Sequence, residues 1–237
     1  MKRILLLGVC VALMMPVLLA QPTIKDENVE MRPVGSFSGI EVSGGFDVYI
    51  TQGSEESVAV SASRVEYRKY IVVEVKGSKL HIYFKPPARQ WSVRNLRLRA
   101  YISYKTLESL QLSGATDARL VDAWKAAKAR VEVSGASDLR GSVEFDEAKM
   151  DLSGASDISI SGRVGKLKLD ASGASKFAGY DLYADVCDAQ ASGASDIKVT
   201  ARRELYVQAS GASDIYYKGD ASVREIRTSG ASSVKKR

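Results

Sequence analysis

Five aspartates recur at near-constant spacing in the C-terminal half of the chain: Asp117, Asp138, Asp157, Asp196 and Asp214. Stacked one above another they make a strip of carboxylates, and such a strip has three uses. Each Asp can accept N–H bonds from the turn it sits in. The strip as a whole can hold divalent cations or a charged surface glycan. A neighbouring pair can also cleave a glycosidic bond, since retaining enzymes hold two carboxyl groups ~5–5.5 Å apart. A repeated column offers no unique acid and base in different environments, so the sequence marks no catalytic residue.

Each Asp closes a copy of one phrase, Ser-Gly-Ala followed by Ser or Thr. The copies start at Ser113, Ser134, Ser153, Ser172, Ser192, Ser210 and Ser229, and two of them carry Lys176 and Ser233 in place of Asp. Successive starts lie 21, 19, 19, 20, 18 and 19 residues apart. A unit of that length cannot bury an apolar face alone and must stack on its neighbours, which is the signature of a solenoid.

The elements that position the aspartates follow from the alternation around each phrase. Val131, Val133, Gly135, Ser137 and Leu139 keep one frame; Met150, Leu152, Gly154, Ser156, Ile158 and Ile160 keep the same one. Period-two alternation means extended strand with one face buried. The frame predicts the glycine and second serine inward, and the first serine, alanine and Asp outward. An inward glycine in mid-strand implies a bend or a close approach of backbone. The inward serines would stack on one another and bond within their column. A second outward column runs Glu132, Asp151, Asp170 and ends in Gln190, Gln208 and Arg227. Tyr180, Tyr183, Tyr206, Tyr216 and Trp91 are candidate platforms for sugar rings.

The N-terminal half reads as β-structure as well. Ile40, Val42, Gly44, Phe46, Val48 and Ile50 alternate, and Ser43-Gly44-Gly45-Phe46-Asp47 is a degenerate copy of the phrase. Val121–Ala129, with Trp124 and several alanines, reads as a short helix in a decorated loop. The architecture expected is all-β: one domain, residues 30–237, a right-handed parallel β-helix (β-solenoid) with rungs of about 18–21 residues.

Composition narrows the function. Met1-Lys2-Arg3, an apolar run and Ala20 make residues 1–20 a signal peptide. Its removal lowers the formal charge from +6 to +4, and with no cationic cluster interleaved with aromatics on a helix, no nucleic-acid partner is expected. No later run reaches the ~20 apolar residues of a spanning helix. Cys187 is the one cysteine past the signal, so no internal disulfide forms, and it reads as a structural thiol. His81 is the single histidine, and neither a metal site nor a cofactor is expected.

The stretch Phe37-Ser38-Gly39-Ile40-Glu41-Val42-Ser43-Gly44-Gly45-Phe46-Asp47-Val48, then Leu107–Ala115, then the train of phrases resemble the "putative auto-transporter adhesin, head GIN domain" family of Bacteroidetes-type bacteria. The resemblance implies an exported β-helical protein of the cell envelope or surface and supplies no catalytic residues. No transmembrane barrel follows the repeats, so self-export is not expected. The function this reading leads to is a non-catalytic binding module in the periplasm, on the outer-membrane surface or secreted, which displays flat repetitive faces to a glycan or protein. A self-assembling envelope protein, forming homo-oligomers through its ends or one face, and a polysaccharide-degrading enzyme are the rival readings.

Overall fold

The computed structural model describes residues 26–86 and 96–237. The proposed signal peptide and Trp91 lie outside the described residues. The described chain is a β-solenoid forming a single domain.

Three flat faces make up the wall. The first stacks β2 (Gly39–Gly44), β6 (Lys79–Phe84), β8 (Ser109–Gly114) and the later part of β10 (Trp124–Val133). It continues through the later parts of β11 (Asp138–Leu152), β12 (Asp157–Ala171), β13 (Lys176–Ala191) and β14 (Asp196–Ala209) to β16 (Ser222–Thr228). The second face stacks β3 (Phe46–Gln52), β7 (Leu98–Tyr104) and β9 (Asp117–Leu120), then the beginnings of β11 to β14, β15 (Asp214–Lys218) and β17 (Ser233–Lys236). The third face is built from the start of β10 and the middle of β11 to β14. All neighbours in these three stacks pair in parallel.

Chain order and stacking order differ at the N-terminal end. The rung formed by β2 and β3 lies between the rung of β6 and β7 and the rung of β8 and β9. The chain therefore lays down an inner rung first, builds the terminal rung outside it, and returns past it to start the regular stack. Antiparallel strands close this end: β5 (Ile71–Lys76) on β6, β4 (Ser57–Ala62) on β7, and β1 (Glu30–Arg32) on β4. A 3-10 helix, Val65–Tyr70, joins β4 to β5. Antiparallel caps of this kind blunt the open edge that a stack otherwise presents.

Inside, like residues stack on like. Leu80, Ile40, Leu110, Val131, Met150, Leu169, Ala189 and Val207 form one continuous core column. Leu139, Ile158, Phe177, Ile197 and Ile215 form another. These side chains are buried, each stabilising by ~1.5–3 kcal/mol for a full-sized aliphatic or aromatic group relative to exposure.

The short helix expected over Val121–Ala129 is instead a bend at Val121 and Asp122 followed by the beginning of β10 at Trp124. Trp124 pairs in register with Val143, is fully buried and packs edge-on to Phe145 with ring centroids 5.0 Å apart. Its Nε1–H donates to the Leu107 carbonyl at 2.8 Å. Pairing with the next rung, which a local alanine count ignores, decided the conformation.

The phrase glycine also differs from expectation. It does not face inward in mid-strand: it is solvent-facing, at the corner between the first and second faces, with φ +72 to +83 in all seven copies. A Cβ built on Gly135 would meet the Gly114 carbonyl oxygen at 2.5 Å. The corner demands a left-handed residue and a bare one, because the alanine N–H beside it donates to the glycine carbonyl one rung below, at 2.7 Å for Ala136 on Gly114 and for Ala155 on Gly135.

Candidate functional site

The second serine of each phrase is buried as the frame required: Ser137, Ser156, Ser175, Ser195 and Ser213, with Thr116 in the first copy. Its hydroxyl caps the corner. Ser156 donates to the Ser153 carbonyl at 2.9 Å and lies 3.1 Å from that of Val133 in the rung below. Ser195 does the same with Ser192 and Ala171, and Ser213 with Ser210 and Ala191.

That arrangement displaces the turn-capping role expected of the aspartates. Asp117, Asp138, Asp157, Asp196 and Asp214 do stand in one outward column of the second face, with Lys176 between Asp157 and Asp196. Asp47 extends it below and Ser233 above. Two of these carboxylates bond side chains and not the N–H groups of their own turns: Asp138 takes Arg140 Nη2 at 2.8 Å, and Asp214 takes the hydroxyls of Ser233 and Tyr216. Ser233 and Tyr216 hold Asp214 below its ordinary range. Burial and the charges of Asp138 and Asp47 raise Asp117. Among the described residues no group of three or more His, Cys, Asp or Glu is gathered to hold a metal ion.

Cys187 is fully buried in the core, and burial pushes its thiol up to about 12, as suits a packing residue. Of the tyrosines, Tyr183 is 45% exposed with the Arg202 guanidinium 5.7 Å from its ring centre. It borders a groove of about 900 Å³ on the third face with Arg163, Glu144 and Asp146. Tyr206 donates to Glu204 at 3.0 Å.

A larger concavity lies elsewhere, along the first face. It is a groove of about 1180 Å³ running along the solenoid axis. Its floor is the second outward column, Glu132, Asp151, Asp170, Gln190, Gln208 and Arg227, in unbroken register with Gln111 at the near end. One wall is the row of first serines, Ser134, Ser153, Ser172, Ser192, Ser210 and Ser229. The five column aspartates do not line it; the corner separates them from it. Arg130 bonds Glu132 at 2.6 Å and lies 3.6 Å from Asp151, and Lys149 lies 3.0 Å from Asp151. Among the described residues Asp170 has no ion pair within 4 Å, and burial raises its pKa despite the charges of Lys168 and Lys149. The groove thus passes from charged pairs, through one raised carboxyl, to neutral amides.

The floor of this groove was visible in the sequence as a column; that it is the concave face was not. The signal present was the replacement of acids by Gln190 and Gln208 at positions that keep the frame.

The family model described as "Putative auto-transporter adhesin, head GIN domain" matches residues 36–221. The chain belongs to this family. Solved structures share the fold of this head GIN domain. A "putative adhesin" from Bacteroides fragilis NCTC 9343 has 17% identity and a TM-score of 0.81, covering 88% of this chain and 96% of that one. A "putative adhesin" from Parabacteroides distasonis ATCC 8503 has 18% identity and a TM-score of 0.74, covering 88% and 96%. A "putative lipid binding protein" from the same strain has 19% identity and a TM-score of 0.67, covering 90% and 98%. No curated protein matches the chain. No helix among the described residues is long and apolar enough to cross a membrane.

Proposed function

We propose that this head GIN domain protein is an exported, non-catalytic binding module of the cell envelope or surface, and that its axial groove holds an extended glycan. The observation that carries the reading is the lining of the groove. Seven successive strands of the first face each contribute one acid, amide or guanidinium to its floor, and six contribute a serine to its wall. Rungs repeat at ~4.8 Å, about the length of one sugar unit in an extended chain, so each unit meets one acid, amide or guanidinium and, on six of the seven strands, one serine. Carboxylates, amides and hydroxyls suit sugar hydroxyls, which both donate and accept. The adhesin names of the family and its structural relatives agree with a binding role.

One observation favours a second reading, cleavage of a polysaccharide. Asp151 and Asp170 are register partners in the groove. Asp151 sits beside Lys149 and Arg130, whereas burial raises Asp170. Two carboxyls in different environments are what acid and nucleophile roles need. Glu132 and Asp151 repeat the same geometry one rung away, which argues for a ladder and not a unique pair.

A glycan-array screen of the purified protein, with and without calcium, tests the binding reading. Saturable hits lost on substituting Gln190 and Gln208 support it; hits insensitive to those changes, or none on folded protein, contradict it. Release of reducing ends from a bound glycan, abolished by Asp170→Asn, would establish the hydrolytic reading instead.

A further inference from the structure

Positive charge is unevenly placed along the solenoid. Residues 21–195 hold twenty-three Lys or Arg and twenty-three Asp or Glu, whereas residues 196–237 hold nine against five. The whole net charge of the chain beyond the signal segment therefore sits on the last rungs.

On the second face these cations form a lattice. Lys198, Tyr216 and Lys235 are successive members of one outward column. Thr200 and Lys218 are register partners in the next column, and Arg237 follows directly on β17. The Lys218 ammonium lies 4.3 Å and that of Lys198 6.0 Å from the ring centre of Tyr180. The Arg237 guanidinium lies 4.7 Å from that of Tyr216. Burial raises the Tyr180 phenol against the pull of the Arg237 charge, which places both tyrosines and all three cations in one cluster.

How these cations are held separates them from others on the molecule. Lys125, Lys128, Arg130, Arg140 and Lys149 each sit within 4 Å of a carboxylate that offsets their charge. Lys198, Lys218, Lys235 and Arg237 have no such partner among the ion pairs of the described residues. A tyrosine face orients a cation without neutralising it. Asp214 in the adjoining column, bonded by Ser233 and Tyr216, stays charged and is felt by Lys235 alone of the four. The result is three cations held on tyrosine faces with no carboxylate within ion-pair distance, and a fourth, Lys235, offset in part by Asp214.

We propose that this cluster, Lys198, Lys218, Lys235 and Arg237 braced by Tyr180 and Tyr216, is a binding site for an anionic polysaccharide carrying sulfate or carboxylate groups. An extended polymer lying along the axis presents its charges in succession to successive rungs. The exposed large apolar side chains of these last rungs, Val223 and Ile226 on β16, belong to the first face, so the cluster lacks the apolar insertion that a membrane surface would reward. The site is distinct from the groove and stands whether or not the groove binds a neutral glycan.

The test is calorimetric titration of the purified protein with heparin, a sulfated polysaccharide, at low salt, with neutral dextran alongside. Saturable heparin binding is expected, weakened about tenfold or more in the Lys218→Gln, Lys235→Gln double variant and screened by added salt. Lys128→Gln removes a cation that Glu147 already offsets and is expected to change affinity little. Circular dichroism confirms that the exposed substitutions leave the fold intact. Three outcomes overturn the proposal: no heparin binding, equal loss in Lys128→Gln, or tighter binding to phosphatidylglycerol vesicles or duplex DNA than to heparin.

Discussion

Thr116 donates its hydroxyl proton to the carbonyl oxygen of Gly44 at 2.9 Å, across 72 positions of sequence. The bond joins the first regular phrase to the degenerate copy that the chain lays down long before it, and continues the serine ladder into the capped end. Thr116→Val keeps the shape and removes the donor. The Ser113 carbonyl lies at the same 2.9 Å from this hydroxyl, so one donor shared by two carbonyls is lost, and a loss of ~1 kcal/mol is expected. A urea midpoint lowered at unchanged slope would show it.

Ser156 and Asp157 are adjacent and do opposite things. Ser156→Leu forces a large side chain into a fully buried column and removes the hydroxyl that caps the corner, so a loss of ~1–3 kcal/mol is expected from overpacking. Asp157→Asn is expected to fall within about 0.5 kcal/mol of the parent, because the corner is capped by Ser156. Equilibrium unfolding of both variants checks the assignment; the reverse order would refute it.

Gly173 has φ +75, and a Cβ there would meet the Gly154 carbonyl oxygen at 2.5 Å. Gly173→Ala is expected to cost at least ~1–3 kcal/mol for the left-handed backbone alone. Gly45, whose added Cβ meets nothing within 4 Å, is the matched control, and Gly45→Ala is expected to unfold at a midpoint close to the parent's.

Acid is expected to remove the stability that Asp26 gives the N-terminal cap. Burial works to raise the Asp26 carboxyl, but bonds from Ser61, Arg99, the Asn28 N–H and Tyr101 outweigh it and hold the group below its ordinary value of 3.8. A lowered folded-state pKa contributes stability in full above the unfolded value and loses it as pH falls through the folded one. The stability gap between the parent and Asp26→Asn is therefore expected to be constant from neutral pH down to about the ordinary aspartate value and to shrink below it. Chemical unfolding across that range measures the gap.

The repeat made the C-terminal half legible because every rung obeys one frame: period-two burial placed Ser156 inward and Asp157 outward from the residues alone. The corner glycine was misplaced because alternation alone cannot tell a strand position from a left-handed turn that happens to keep step. Trp124 was misread for a related reason, since its conformation is decided by pairing with Val143 and not by its neighbours. The insertion of the β2 and β3 rung inside the capped end was hidden because Gly44 and Gly114 recognise each other only through stacking. The groove was hidden too: Asp170 and Gln190 announce an outward column, but concavity depends on how the first face meets the row of serines at the corner.

The groove reading is tested most directly by the dependence of affinity on ligand length, measured calorimetrically with a graded series of the linear oligosaccharide found by the array. The account predicts that affinity rises with each added sugar unit until the seven rungs of the groove are filled, then levels off, and that Gln190→Ala with Gln208→Ala flattens the later part of the rise. Affinity independent of length, or a rise untouched by those two substitutions, would contradict it.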